Sequence, residues 1–462
     1  EPSGWSDPFK FRITGPYEVP SEFPDIQSAI NAIPYSDTAE VLVAPGTYTG
    51  RANCNPNGFY SKLVQLRSSS GPSTTFIDCG DSLRGFYFDW YTEPGTSVEG
   101  FTIRNARGYE DMGGAIDCDG APVTINNCVI EYCPDGGVFI RNGARATITN
   151  CVVENCFRQG VLIREWSRAT ITNCTIRNNE WLGINTSGGG RATITGSTFQ
   201  ENMGVGLRLD ADSNSVITNC DFIRNQEGES TRYGAYVYNS KPTFQSCNFL
   251  QNEGPGLYSS SSNLNIDNCT FTGNNNSWKG GGIYARNNSV ITLTNSTFEG
   301  NTADYGAGIF LEGTAANLAQ CLFDGNIASN AGGGVYVEWN ATVAPTGCTF
   351  VNNAADTGSA IFIQSDANAP ESDGNDITGR PAQPSDKSLG GGMVSECLFA
   401  YNQQGAAIYM GYYAWIEIMC SNIYGNAGGN WVGAIAPYLG MDGNISADPL
   451  FCNASGDDYT VT

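Results

Sequence analysis

The sequence predicts an all-β protein, a right-handed single-stranded parallel β-helix of about 16 coils with three short strands per coil and a short N-terminal capping helix. Three observations predict it. First, an apolar anchor, two variable residues and usually Asn recur at Ile103, Ile130, Val153, Ile176, Phe199, Phe222, Phe249, Phe271, Phe298, Phe323, Phe350, Phe399 and Ile423. The steps are 22 to 27 residues, apart from one of 49. Second, each copy is framed by alternating strands: a phrase such as Ala146-Thr147-Ile148-Thr149 before the anchor, and a Gly-rich phrase such as Gly282-Ile283-Tyr284-Ala285 after it. Third, helical periodicity is nearly absent after residue 35. A unit this short cannot bury its own apolar face, so stacking must bury it. At ~4.8 Å per coil the rod is roughly 75 Å long.

Taken in order, residues 1–40 read as a leader and cap. Ile26, Ile30 and Ile33 fall on one helical face that would cover the first coil, where bare strand edges invite association. Residues 41–462 read as the solenoid, opening with Val41 to Tyr48. The step of 49 carries an insertion over about 366–392, rich in Pro, Asp, Gly and Ser, which reads as a long loop. Tyr459 to Thr462 still reads as a strand, and the pattern gives no second cap. An open C-terminal edge, continued by further chain or covered by a partner, is the expectation.

Composition narrows the function. The chain has 462 residues, 23 Lys+Arg against 46 Asp+Glu for a net charge of −23, and no His. That charge disfavours nucleic acid and anionic lipid as partners. It also disfavours acidic polysaccharides unless a local basic groove overrides it. Without His, His-based general acid/base chemistry, His-containing triads and His metal sites are excluded. No apolar run reaches ~18 residues, so no membrane insertion is expected. Only 15% of residues are charged, and Gly, Asn, Ser and Thr abound, as in extracellular β-proteins. The start at Glu1 fits a processed, secreted chain. Possible N-glycosylation sequons stand at Asn173, Asn185, Asn268, Asn275, Asn287, Asn295, Asn340, Asn444 and Asn453.

The opening helix followed by Ala44-Pro45-Gly46-Thr47-Tyr48 resembles secreted right-handed β-helix proteins of the pectin-lyase-like class. The Phe-x-x-Asn and Gly-Gly-x-apolar repeats resemble the polymorphic outer-membrane-protein repeats of surface adhesins. The ending Asn444-Ile445-Ser446-Ala447-Asp448-Pro449-Leu450-Phe451 is similar to the last coils of many such proteins. The resemblance spans about residues 23–462 and implies the fold; the fold hosts lyases, hydrolases, adhesins and rods alike. The polygalacturonase-like signatures do not carry over: Gly-His-Gly, Asn-Thr-Asp and Arg-Ile-Lys are missing, and the sole Asp-Asp is Asp457-Asp458. Arg380-Pro381 lacks the second Arg of the pectate-lyase-like pattern.

Several columns follow from the register. Cys128, Cys151, Cys174, Cys220, Cys247, Cys269, Cys321, Cys348 and Cys397 lie two residues before an anchor, with Ser197, Ser296 and Ser421 in the same slot elsewhere. They read as a ladder of small buried thiols. Spacing makes Cys54–Cys79, Cys133–Cys156 and Cys420–Cys452 the possible disulfides. Asn127, Asn150, Asn173, Asn219, Asn268 and Asn295 read as a structural amide ladder.

Alternation points Ile283, Ile309, Val335, Ile361 and Ile408 inward. It then points Tyr236, Tyr258, Tyr284, Phe310, Tyr336, Phe362 and Tyr409 outward, as an exposed stripe able to bind a protein or a sugar. Two positions on, Glu312 and Glu338 fall on successive coils, a spacing that suits a retaining glycosidase. The alternatives are a solvated face eased by Arg286, or a calcium site; no calcium-loop motif is present, and no metal or cofactor is expected. The expected function is a non-enzymatic extracellular solenoid, either a structural subunit of a surface filament or an adhesin. Its expected partners are further copies, other surface proteins or neutral glycans. The alternative is a polysaccharide-active enzyme or a glycan-binding, tail-fibre-like protein using the aromatic face.

Overall fold

The computed structural model describes residues 15–108, 113–211, 214–225, 233–364, 390–411, 414–453 and 458–461, with side chains to residue 451. It is a right-handed parallel β-helix. Three parallel sheets of 16, 15 and 13 strands form it, most coils contributing one strand to each; the third sheet begins at Phe86–Phe88 and ends at Ile408–Met410. The second sheet, which carries the anchors, sets the count at about 15 coils against the 16 expected. Most of the inserted loop lies outside the described residues; the chain rejoins the first sheet at Gly391–Ser395.

Alternation sets the interior. The anchors are all buried, and Phe199, Phe222, Phe249, Phe271, Phe298, Phe323, Phe350 and Phe399 stack with ring centroids 4.6 to 4.9 Å apart. The rings lie within 7° of parallel, because the coil rise falls within the centroid range of offset-stacked rings and lets one rotamer repeat.

The Cys/Ser column is buried as expected, and the structure explains why the two residues interchange. Cys151 Sγ donates to the Thr149 carbonyl, as Ser197 Oγ does to Thr195. The Cys128 N–H donates to Cys151 Sγ, as the Cys174 N–H does to Ser197 Oγ. Thiol or hydroxyl therefore closes the same turn. All fifteen cysteines whose side chains are described are unbridged. Cys54 and Cys79, expected as a disulfide, are buried free thiols, and so are Cys133 and Cys156; Cys54 Sγ donates to Asp78 O, Cys133 Sγ to Glu131 O and Cys156 Sγ to Glu154 O. Cys420 is an exposed thiol, and the side chain of Cys452 lies outside the described residues. The Cys151 thiol is pushed up to about 12 by its hydrogen bond with Cys128 and by burial.

The amide ladder lies elsewhere than expected. Asn127, Asn150, Asn173, Asn219, Asn268 and Asn295 are exposed turn residues with φ from 49° to 54°, a left-handed conformation that Asn tolerates. Asn150, Asn268 and Asn295 donate to Asn126, Ser246 and Asp267 rather than to one another. The true ladder is the Asn of the repeat phrase, from Asn179 through Asn202, Asn225, Asn252, Asn274, Asn301, Asn326, Asn353 and Asn402 to Asn426. Asn202 shows the pattern. Its Nδ2 donates to Ile176 O and Asn225 Oδ1, while its Oδ1 accepts the N–H and Nδ2 of Asn179. The buried amide is thus satisfied at all four positions.

Both ends are closed. Helix α1 (Ile26–Ala32) starts at Asp25, whose carboxylate accepts the Ser28 N–H, and it buries Ile26, Ala29 and Ile30. The first sheet begins ahead of it, with Tyr17–Val19 paired to Thr38–Val43, so the solenoid starts before residue 41. At the other end the expected open edge is covered. A 3₁₀ turn at Gly433–Tyr438 buries Ile435. Tyr438 Oη, Asn444 Nδ2 and Ser446 Oγ donate to the carbonyls of Ile416, Ile418 and Ile423 on the last strands. Three carbonyls that would help template another strand are thus occupied within the chain.

Candidate functional site

The outward column of the third sheet is continuous in register. It runs from Tyr87 and Asp117 through Phe139, Leu162, Asn185 and Arg208 to Tyr236, and onward through Tyr409. The seven aromatics expected as a stripe share this column. Their exposure differs from expectation: Tyr284, Phe310, Tyr336 and Phe362 are 5%, 0%, 3% and 9% exposed. Tyr236 and Tyr258 are half-buried, and Tyr409 is exposed.

Connection length is the cause. Three residues separate Asn202 from Gly206, but six separate Asn301 from Gly308. The longer connections stack on one another as a side layer. Thr302–Tyr305 pairs with Ile327–Ala331, and bridges at Asn275, Lys279, Ala354 and Thr357 extend the ladder. Ala331 of this layer packs into the aromatic cluster of Tyr284, Phe310, Tyr336 and Phe362, with Tyr305 beside it. The stripe is a second, smaller core rather than an exposed face.

Glu312 and Glu338 are in-register neighbours, as expected. They are not a free carboxylate pair. Lys279 reaches over from the side layer, its Nζ 2.8 Å from Glu338 and 3.8 Å from Glu312. The same ammonium lies 4.5 Å from the Phe310 ring centroid and 4.8 Å from that of Trp278. Tyr284 Oη donates to Glu312 at 2.7 Å, and Arg286 stands 4.0 Å away. The compensating cation is chiefly Lys279. Burial, then the Glu312 carboxylate, push the Tyr284 phenol well above its usual range, so it remains a donor.

The side layer begins abruptly at residue 275, and an open cleft of about 560 Å³ forms beneath its first turn. Tyr233, Tyr258, Tyr284, Trp278, Arg286 and Glu253 line it, with Asn275 and Asn276. Tyr233 and Tyr258 stack at 4.8 Å, Tyr236 continues the stack at 5.1 Å, and Tyr284 meets Tyr258 edge-on at 5.2 Å. Trp278 is 56% exposed over the opening. Burial pushes the Tyr233 phenol up to about 12. The cleft thus offers aromatic faces, phenol donors, one guanidinium and one carboxylate. Tyr233, Trp278 and Glu253 carried no periodic signal, since they sit where the repeat changes length.

A second polar cluster was also not legible. The buried Asp117 carboxylate is held by Arg141 at 3.0 Å and Arg84 at 3.2 Å, and Asp119 joins Arg141 at 2.9 Å. Among the sequons, Asn444 is buried, with its amide donating to Ile418 and Tyr438, which leaves no room for a glycan. Asn173, Asn268, Asn275, Asn287, Asn295 and Asn340 are exposed and Asn185 is half-buried; the side chain of Asn453 lies outside the described residues. Among the described residues, no group of three His, Cys, Asp or Glu is placed to hold a metal ion, and no helix is long and apolar enough to cross a membrane.

Fold and site together define a β-solenoid with an aromatic cleft at a break in its outer layer. Residues 114–240 and 229–377 match the family described as the right-handed beta helix region, more than half of the chain, and the protein belongs to that family. The "Metabotropic glutamate receptor-like protein R" of Dictyostelium discoideum is 29% identical over 152 residues, covering 31% of this chain and 9% of that protein. The "Probable autotransporter YfaL" of Escherichia coli is 33% identical over 122 residues, covering 25% of this chain and 10% of its own length. The chain thus matches about a tenth of each relative. Among solved structures, the catalytic unit of a thermostable alpha-1,3-glucanase from Streptomyces thermodiastaticus aligns at 10% identity and a TM-score of 0.47, covering 80% of this chain and 64% of that one. The periplasmic alginate epimerase AlgG aligns at 12% identity and a TM-score of 0.40, covering 85% and 81%.

Proposed function

We propose that this protein is an extracellular, non-enzymatic glycan-binding solenoid of the adhesin type, and that the cleft under Trp278 holds a neutral sugar. One observation carries the reading. Stacked Tyr233 and Tyr258, the overhanging Trp278 and the Arg286 guanidinium converge on an open cleft of about 560 Å³. Apolar sugar faces stack on aromatic rings, and phenol and guanidinium donors fix the hydroxyls. Binding without turnover is favoured because Lys279 neutralises Glu312 and Glu338, and Tyr284 engages Glu312 as well. Adhesin-type binding is favoured over end-to-end polymerisation because the last strands are already covered.

The test is a screen of neutral oligosaccharides followed by titration of Trp278→Ala and Tyr258→Ala. Each should weaken binding at least about tenfold, equivalent to ~1.4 kcal/mol, while the recovered sugar stays intact. Unchanged affinity in both variants would remove the cleft from the reading. Cleavage of the sugar that disappears in Glu312→Gln and Glu338→Gln would replace it with the enzymatic one.

A further inference from the structure

The chain carries −23 overall, yet residues 138–195 hold seven Arg, no Lys, three Glu and no Asp, a local charge of 7 − 3 = +4. The remainder therefore carries −27. Within this belt the pentapeptide Arg-Ala-Thr-Ile-Thr occurs three times, at Arg145–Thr149, Arg168–Thr172 and Arg191–Thr195. The three copies are in-register neighbours on the first sheet. Ala and Ile point inward and are buried, so Arg and both Thr point outward. Arg145 and Arg168 are exposed and Arg191 is half-buried, and none of the three forms an ion pair among the described residues. Glu165, in the turn before Arg168, is engaged by Arg164 at 3.3 Å. At the edge of the strip, Trp166 is 74% exposed, and its indole lies on the bare backbone of Gly189.

Three guanidinium groups on successive coils repel one another, and an acidic chain offers many carboxylates that could have relieved them. Here they stay unpaired, one per coil at ~4.8 Å, beside two columns of hydroxyls. We propose that this face of the first sheet binds a linear polysaccharide that carries an anionic group, carboxylate or sulfate, on each sugar and lies along the solenoid axis. The coil rise is close to the repeat of an extended pyranose chain. Each Arg would take one anion, the Thr hydroxyls would take ring hydroxyls, and Trp166 would stack on a sugar at the edge. A duplex nucleic acid presents one charge per ~3.4 Å of each strand and would face the −27 of the remaining surface. The strip lies on a different sheet from the cleft, and it stands or falls independently of the cleft reading.

The experiment titrates the full chain at low and at physiological salt with four probes: an oligogalacturonate, its methyl ester, a sulfated dextran and single-stranded DNA. Wild type should bind the carboxylated polymer, the sulfated polymer or both, which distinguishes the two anions, and should lose affinity as salt rises. The methyl ester should not bind. Each single Arg→Gln change should weaken binding about threefold, and the triple Arg145→Gln, Arg168→Gln, Arg191→Gln variant more than about tenfold, with an unchanged melting curve. If the triple variant unfolds, Arg168→Glu alone carries the test. Trp278→Ala should leave polyanion binding intact. Equal binding of the methyl ester, wild-type affinity in the triple variant, tighter binding of the DNA, or no binding of either polyanion at low salt would each overturn the proposal.

Discussion

Coils 130–222 and coils 271–362 run on one inward code and wear different outer surfaces. In both, an anchor, a Cys or Ser, and a buried Asn or Cys repeat at the same three inner positions. In the first region the connections after Cys133, Cys156, Asn179 and Asn202 are short, and the outer faces carry Arg, Thr and exposed rings such as Trp166 and Trp181. In the second, three or four extra residues per connection stack into a side layer, bury four outer aromatics and hold a lysine between two glutamates. The fold is indifferent to this change because each coil contacts only its neighbours. Function can therefore be altered coil by coil on the outside while the interior stays constant.

The largest effect expected tests the shared interior. Asn202→Ala and Asn326→Ala should each destabilise the protein by about 2–4 kcal/mol, because each leaves several buried N–H and C=O groups unpaired. Chemical denaturation of both should give similar losses, since Asn326 repeats the bonds of Asn202, to Phe298 O and Asn353 Oδ1. A loss confined to one region would break the comparison.

Lys279→Met should act on the second region alone. It leaves two half-buried carboxylates adjacent, with Arg286 at 4.0 Å from Glu312 as the remaining cation, at an expected cost of about 1–2 kcal/mol. Hydrogen exchange should quicken over residues 275–281 and stay unchanged in coils 130–222. Uniform quickening would mean the side layer is no separate unit.

The smallest effect belongs to a surface site outside both regions. Burial alone would raise the Asp78 carboxyl, but hydrogen bonds from Asn105, Arg104 and the Gly80 N–H outweigh it and hold it below its usual range. A depressed folded value means stability fully present above the unfolded value, and lost as pH falls through the folded one. Asp78→Asn should cost less than about 1 kcal/mol at pH 7. The gap to wild type should close in melts below the ordinary aspartate range. A gap independent of pH would assign the loss to packing.

Legibility in the sequence tracked how local each property is. The coil step, the anchors and the thiol column were readable because alternation and a fixed period report inward positions directly. The amide ladder was placed on the wrong Asn, since both Asn types recur with the same period and only backbone conformation separates a left-handed turn from a buried amide. The C-terminal cap was missed because Trp431, Ile435 and Tyr438 follow no repeat. Glu312 and Glu338 were paired correctly, but Lys279, which neutralises Glu338 from 59 positions earlier, was out of reach of any local pattern.

By itself, then, the sequence determined the solenoid and which face of each strand meets the core, since a strand's side chains alternate wherever it lies. Exposure of the outer faces was settled by the tertiary structure alone. Whether Tyr284 or Arg168 meets water depends on what neighbouring coils lay over it. That is a property of stacked connections rather than of any one repeat.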